Sequence, residues 1–268
     1  MSAGPDAAGV AADALREYLL RLGDTSLVLA QRLCEWVGHA PEIEEDIGLA
    51  NLGLDLLGQA RLFYAYVVER GAPGAPAGPP AAETEDALAY GRGDREFRNL
   101  LLAEQPNGDF ALTIARQFLL SQWQMLLFDA LQSSSDARLR EIAALAAREV
   151  RYHVRYSATW LTHLGDGTPE SHARAQRALE SLWRFTGELF EDDDVERQLH
   201  AAGIVPLNAE LRARWLERVS STLREATLEL PTAFDGRRGG RQGLHTEHLG
   251  YLLAEMQSLA RAHPDARW

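Results

Sequence analysis

Lysine is absent from this chain. All 27 of its basic residues are arginine, a bias that codon usage alone can produce, so it carries no functional weight. Positive charge is scarce: against 39 acidic residues the 268-residue chain has a net charge of −12. An acidic surface repels a phosphate backbone, so nucleic-acid binding is not expected. One cysteine, Cys34, excludes an internal disulfide and offers no thiolate set for zinc. Its neighbours Leu33, Trp36 and Val37 suggest a small core residue, since a reactive thiol needs an electropositive, accessible setting. No apolar run approaches the roughly 18 residues of a membrane span. The N-terminus lacks the basic-then-apolar pattern of a secretory signal. These absences point to a cytoplasmic protein with no membrane partner.

Strand-like alternation is nearly missing too; helical periodicity dominates. An apolar content of 46% suffices for one sizeable core. Residues 1–12 read as a disordered leader and 13–268 as a single helical domain. Helices are expected at about 13–38 and 42–70, with Pro41 suited to a first turn. A Pro/Gly/Ala loop follows at 71–82, then short helical pieces between Glu83 and Glu104. Asp109 caps a helix over 110–132, and the next covers 137–164. Thr168 and Pro169 start another that runs to about Phe190. The last two span about 208–229 and 243–262. Two antiparallel pairs joined by a crossover at 71–109 make an all-α, ferritin-like four-helix bundle with additional C-terminal helices.

Two bundle helices carry polar groups on their expected inner faces. On 137–164, a stripe of Ile142, Leu145, Ala146, Glu149, Tyr152, His153, Tyr156, Trp160 and Leu164 places Glu149 and His153 toward the core, one turn apart. On 42–70, apolar nearly all round from Ile47 to Val67 and hence read as central and buried, Asn51, Asp55 and Gln59 form a polar ridge. Bundles build di-iron carboxylate centres at such places, from one Glu on each of two helices and a Glu-x-x-His pair on each of the other two.

That motif is missing. The residues three positions before the eight histidines are Trp36, Val150, Trp160, Pro169, Arg197, Gln242, His245 and Ala260. Glu149 precedes His153 by four, and Asp55 is followed three residues later by Gly58. The scaffold is expected without its ligand set: no catalytic residue, no metal ligand and no cofactor in this chain. Asn51, Asp55, Gln59, Glu149 and His153 are then a vestigial polar core, with Glu149 and His153 forming an ion pair or hydrogen-bond pair that an Arg could complete. The competing reading is an active di-iron monooxygenase subunit with atypical ligands.

Other candidates stay open. His245 and His248 could share a metal or simply open a capped helix. Arg237, Arg238 and Arg241, in a Gly-rich stretch, could contact a phosphate or an acidic partner, or be a mobile solvated loop. Glu191 to Asp194 reads as a solvated turn. Trp123, Trp160, Trp183 and Trp215 read as core or interface anchors.

Several longer strings resemble a known family. Residues 21–61, NLLLAEQPNGDFALTIARQF (99–118), EVRYHVRYSATWL (149–161), LWRFTGELF (182–190) and GLHTEHLGYLLAEMQSLAR (243–261) are similar, in colinear order, to the C-type subunits of ring-1,2-phenylacetyl-CoA epoxidases. The resemblance implies a structural subunit of a monooxygenase complex in aerobic phenylacetate breakdown. It implies pairing with a ferritin-like A-type subunit that carries the di-iron centre and binds the CoA substrate, a small B-type subunit, and an NADPH-dependent reductase as a transient partner. It assigns no catalytic residue to this chain.

Overall fold

A computed structural model describes residues 7–71, 84–232, 236–264 and 266. In chain order the helices are α1 (Ala7–Cys34), α2 (Ile43–Arg70), α3 (Glu85–Tyr90), α4 (Leu101–Glu104), α5 (Phe110–Leu131), α6 (Ala137–Gly165), α7 (Pro169–Trp183), α8 (Asp194–Ala201), α9 (Asn208–Glu225), α10 (Glu247–Met256) and α11 (Ser258–Ala262), with single 3-10 turns at Asp94–Glu96, Thr186–Phe190 and Gly240–Gln242. No strand occurs among the described residues. The architecture is all-α and ferritin-like: α1 pairs with α2, α5 with α6, and α2 lies against α6 to close the bundle. The crossover between the pairs carries α3 and α4.

The helix starts follow their capping chemistry. Asp109 accepts from Leu112 N at 2.9 Å and Asp136 from Leu139 N at 2.8 Å, so each carboxylate satisfies an N–H that the first turn leaves free. Thr168 and Ser171 exchange bonds around Pro169 at the start of α7. α2 begins two residues after Pro41, with Glu42 at its N-cap position.

Some expectations need correction. α1 is helical from Ala7, inside the stretch read as a disordered leader; residues 1–6 and the Pro/Gly/Ala stretch 72–83 lie outside the described residues. The central helix is α5, where every residue from Thr113 to Phe128 is buried and the main neighbours are α6, α7 and α9. α2 is not buried all round: Ile43, Ile47, Leu54 and Leu57 are exposed, Leu54 by 62%. Its main neighbours α1, α6 and α3 leave that outer face uncovered.

The inner face of α6 is turned relative to the expected stripe. Ala143, Ala146, Ala147, Val150, His153, Ser157 and Leu161 face inward, while Leu145 and Tyr152 are exposed. Small residues allow close approach to α5, so bulk does not mark this core face. Cys34 is exposed, not a core residue; partial desolvation and then the charge of Glu35 raise its thiol pKa.

Trp123, Trp183 and Trp215 are buried, and the last two rings pack at 5.6 Å. Trp160 is half-buried and meets Phe110 edge-on at 5.1 Å. The acidic run 191–194 is structural. Asp193 caps α8 and pairs with Arg21 at 2.8 Å, and Asp192 accepts from the Asn208 and Ala209 amides that open α9.

Candidate functional site

α2 and α6 bring four of the five expected polar residues together. Asp55 and Gln59 lie one turn apart on α2, and Glu149 and His153 one turn apart on α6. They pair across the helices, not along them. His153 Nε2 is 3.1 Å from Asp55 Oδ2, and Gln59 Nε2 donates to Glu149 Oε2 at 2.9 Å. The expected Glu149–His153 pair with an added Arg is replaced by these two cross-helix rungs. Asn51 is exposed and stands outside the cluster.

α5 supplies the residues that the sequence reading missed. Gln117 Nε2 approaches His153 Nδ1 at 3.5 Å, and Ser121 Oγ lies 3.3 Å from Ser157 Oγ. Ser157 in turn donates to the His153 carbonyl at 2.7 Å. Gln117, Ser121 and Gln124 recur at spacings of four and three along α5, which also carries Thr113, Arg116 and Gln122, and that spacing is the available signal. Asp55 Oδ2 stands at Nε2 and the Gln117 amide at Nδ1, so each ring nitrogen of His153 has a polar partner. His153 is fully buried, whereas Asp55 keeps 36% side-chain exposure, so the cluster runs from the surface into the core.

The electrostatics oppose a charged Glu149. Burial raises its pKa, the Gln59 hydrogen bond pulls the other way, and Asp55 adds repulsion. Gln59 Oε1 and Gln117 Oε1 are buried without a protein partner. The donor set does not fit a paired-metal centre. Two carboxylates and one imidazole stand where about six ionisable ligands are needed, and neutral Gln and Ser fill the remaining positions. Among the described residues no group of three or more His, Cys, Asp or Glu side chains is arranged to hold a metal ion.

Most of the other candidates are engaged in bonds within the chain. His245 Nδ1 lies 2.8 Å from Glu104 Oε2, and Nε2 lies 3.0 Å from the Phe97 carbonyl. α10 begins only at Glu247, so His245 and His248 do not share a helix face as a metal pair would require. Arg241 is buried and bonds the Glu191 carbonyl at 2.6 Å and Glu196 at 3.3 Å, so its guanidinium is engaged within the chain. Arg238 pairs with Glu191 at 2.8 Å. Arg237 is exposed and lines an open pocket of about 510 Å³ with Arg184 and His248. The glycines of this stretch fix it in place. Gly239 and Gly240 donate their amides to Glu188 at 3.0 and 2.8 Å, and a Cβ on Gly240 would stand 2.1 Å from the Asn99 carbonyl oxygen.

The outer side of the α2–α6 pair has a character of its own. Exposed Ile47, Leu54 and Leu57 on α2 and Leu145 and Tyr152 on α6 present large apolar side chains. Arg148, Arg151 and Arg155 are exposed on α6 beside them, Arg155 over the Tyr152 ring at 5.3 Å. Exposed apolar side chains grouped on two neighbouring helices are what a protein interaction surface presents. No described helix is long and apolar enough to cross a membrane.

Comparison with known proteins gives two matches. Residues 2–268 match the family model described as phenylacetic acid catabolic protein. The chain is 50% identical over 254 residues to the C-type subunit of 1,2-phenylacetyl-CoA epoxidase from Escherichia coli (strain K12), covering 95% of this chain and 99% of that protein.

Proposed function

The chain belongs to the phenylacetic acid catabolic protein family, and on that premise we propose that it is the non-catalytic, structural subunit of a phenylacetyl-CoA ring-1,2-epoxidase complex. It pairs with and stabilises an A-type subunit that carries the di-iron centre, in an assembly completed by a small B-type subunit and served by a reductase. The observation that carries this reading is the composition of the bundle interior. Asp55, His153, Glu149 and Gln59 bond one another and Gln117, with neutral side chains where ligands would have to be.

The exposed apolar side of α2 and α6 supports the same reading. A chain that works alone gains nothing from leaving Leu54 and Leu145 in water, whereas a subunit recovers that area on assembly. The adjoining arginines on a chain of net charge −12 suit a partner face with an acidic rim.

The test is co-expression with an A-type subunit, purification of the complex and iron analysis of each chain. The expected result is iron confined to the partner and turnover that needs both chains. About two irons per copy of this chain would overturn the proposal in favour of an active centre with atypical ligands.

A further inference from the structure

Three polar atoms without protein partners belong to residues that line one small cavity away from the α2–α6 cluster described above. Tyr18 Oη on α1, Trp123 Nε1 on α5 and Asn208 Oδ1 at the start of α9 are all buried and unpartnered within the protein. All three residues line the same cavity, together with Arg21, Glu196 and Arg241. The centre of a water-sized sphere can occupy about 10 Å³ of it, which is close to the minimum for a single water. We propose that this cavity is a built site for one permanently bound water molecule that joins α1, α5 and α9.

The chemistry of the three groups selects the occupant. An indole N–H only donates, so the occupant must accept. Asn208 Nδ2 donates to Asp192 at 3.1 Å, which fixes the amide so that Oδ1 faces the cavity as an acceptor. The occupant must therefore also donate. Tyr18 can do either. A metal cation or ammonium cannot accept from Trp123, and an anion without a proton cannot donate to Asn208, although Arg21 and Arg241 stand beside Glu196 in the lining. Water does both and would make about three hydrogen bonds here, the usual number for a buried water. Without it three buried groups would each stay desolvated and unpaired, which folded proteins rarely tolerate.

The site's place explains its use. α8 and α9 are appended to the bundle, and here they meet α1 and α5 over the Arg21–Glu196–Arg241 ion cluster. A water fills a gap between rigid helices that no side chain reaches.

Two measurements test the proposal on the complex as isolated. A crystal structure at a resolution that shows ordered waters should contain one peak within hydrogen-bond distance of all three atoms. An empty cavity, or three side chains turned to bond one another directly, overturns it. The second measurement compares Trp123→Phe, Tyr18→Phe and the double variant by thermal unfolding. A shared water makes the combined loss in midpoint clearly smaller than the sum of the single losses, because the first change already weakens its hold. Additive losses mean that the groups share no occupant and overturn the proposal. Where a variant does not fold, the crystallographic result decides.

Discussion

His245 and Glu104 form a buried ion pair, with Nδ1 2.8 Å from Oε2 and side-chain exposures of 4% and 0%. Nε2 faces the Phe97 carbonyl, so both ring nitrogens point at acceptors and the imidazole is held doubly protonated. Glu104 also accepts from Asn99 Nδ2, Thr246 N and Thr246 Oγ1, which ties the crossover segment to the loop before α10.

A pH dependence follows from this pair. Burial alone lowers the His245 pKa, but the Glu104 hydrogen bond and charge, with the Phe97 carbonyl, outweigh it and raise the net value above 6.5. Folding thus favours the protonated ring. Its stabilisation is fully present below the unfolded pKa and is lost as pH rises through the folded one. The unfolding midpoint of the chain should fall as pH rises from the unfolded imidazole range, about 6.5, through the raised folded value, and the fall should be shallower in His245→Phe. Equal slopes in the two proteins would refute the pairing. Glu104→Gln leaves the imidazolium without its counter-charge and should cost roughly 3–5 kcal/mol below about pH 7.

The polar rungs between α2 and α6 predict opposite effects for two substitutions. His153→Ala removes the partner of both Asp55 and Gln117 and opens space in the core. It should destabilise the chain by roughly 2–4 kcal/mol, measured by denaturant unfolding. Glu149→Gln keeps an acceptor for Gln59 and removes a charge that burial opposes. Because the folded pKa is raised, the charged form penalises the fold above that pKa and not below the unfolded value. Glu149→Gln should therefore be neutral or stabilising near pH 7, and assembled complex should keep its turnover and its partner's iron. Complete loss of turnover in an iron-replete Glu149→Gln complex would make this chain more than a scaffold.

The helix pairs and their crossover were legible because their boundaries rest on local chemistry. Asp109 and Thr168 cap where they stand in the sequence, whatever packs above them. The faces were harder to read. Leu145 and Tyr152 share the periodicity of core residues but are exposed, while Ala143, Ala146 and Ala147 are buried. Periodicity separates apolar from polar faces and cannot tell a core face from a face awaiting another subunit. Gln117 and Ser121 are harder to read because α5 is buried on every side and its further polar residues Thr113, Arg116 and Gln122 blur the row they form. The role of the acidic run was hidden for a different reason. Asp192 and Asp193 act on Asn208 and Arg21, which are distant in sequence.

The exposed apolar side of the bundle gives a test of assembly separate from folding. Leu54 is 62% exposed and Leu145 48%, so each can become charged without losing much packing in the isolated chain. Leu54→Glu with Leu145→Glu should change its stability by no more than about 1 kcal/mol. The same pair should abolish co-purification with the A-type subunit, because an unpaired carboxylate would be buried at an apolar contact. Complex formed in normal yield by this double variant would place the interface elsewhere.

The Gly-rich segment before α10 predicts which glycines matter. Gly240 has ordinary backbone angles, yet a Cβ there would stand 2.1 Å from the Asn99 carbonyl oxygen and 3.2 Å from Leu101 N. Both obstacles are backbone, so relief requires moving the chain and not a rotamer. Moving it would pull the Gly239 and Gly240 amides from Glu188, whose buried carboxylate also accepts from Leu101 N at 2.7 Å. Gly240→Ala should therefore cost roughly 2–4 kcal/mol, as overpacking and a weakened buried acceptor site combine. Gly250 on exposed α10 is the control: nothing lies within 4 Å of its added Cβ, and Gly250→Ala should stabilise by roughly 0.5–1 kcal/mol through helix propensity. Thermal unfolding of both variants separates the two cases. A Gly240→Ala protein as stable as the parent would show that close backbone contact does not hold this segment in place.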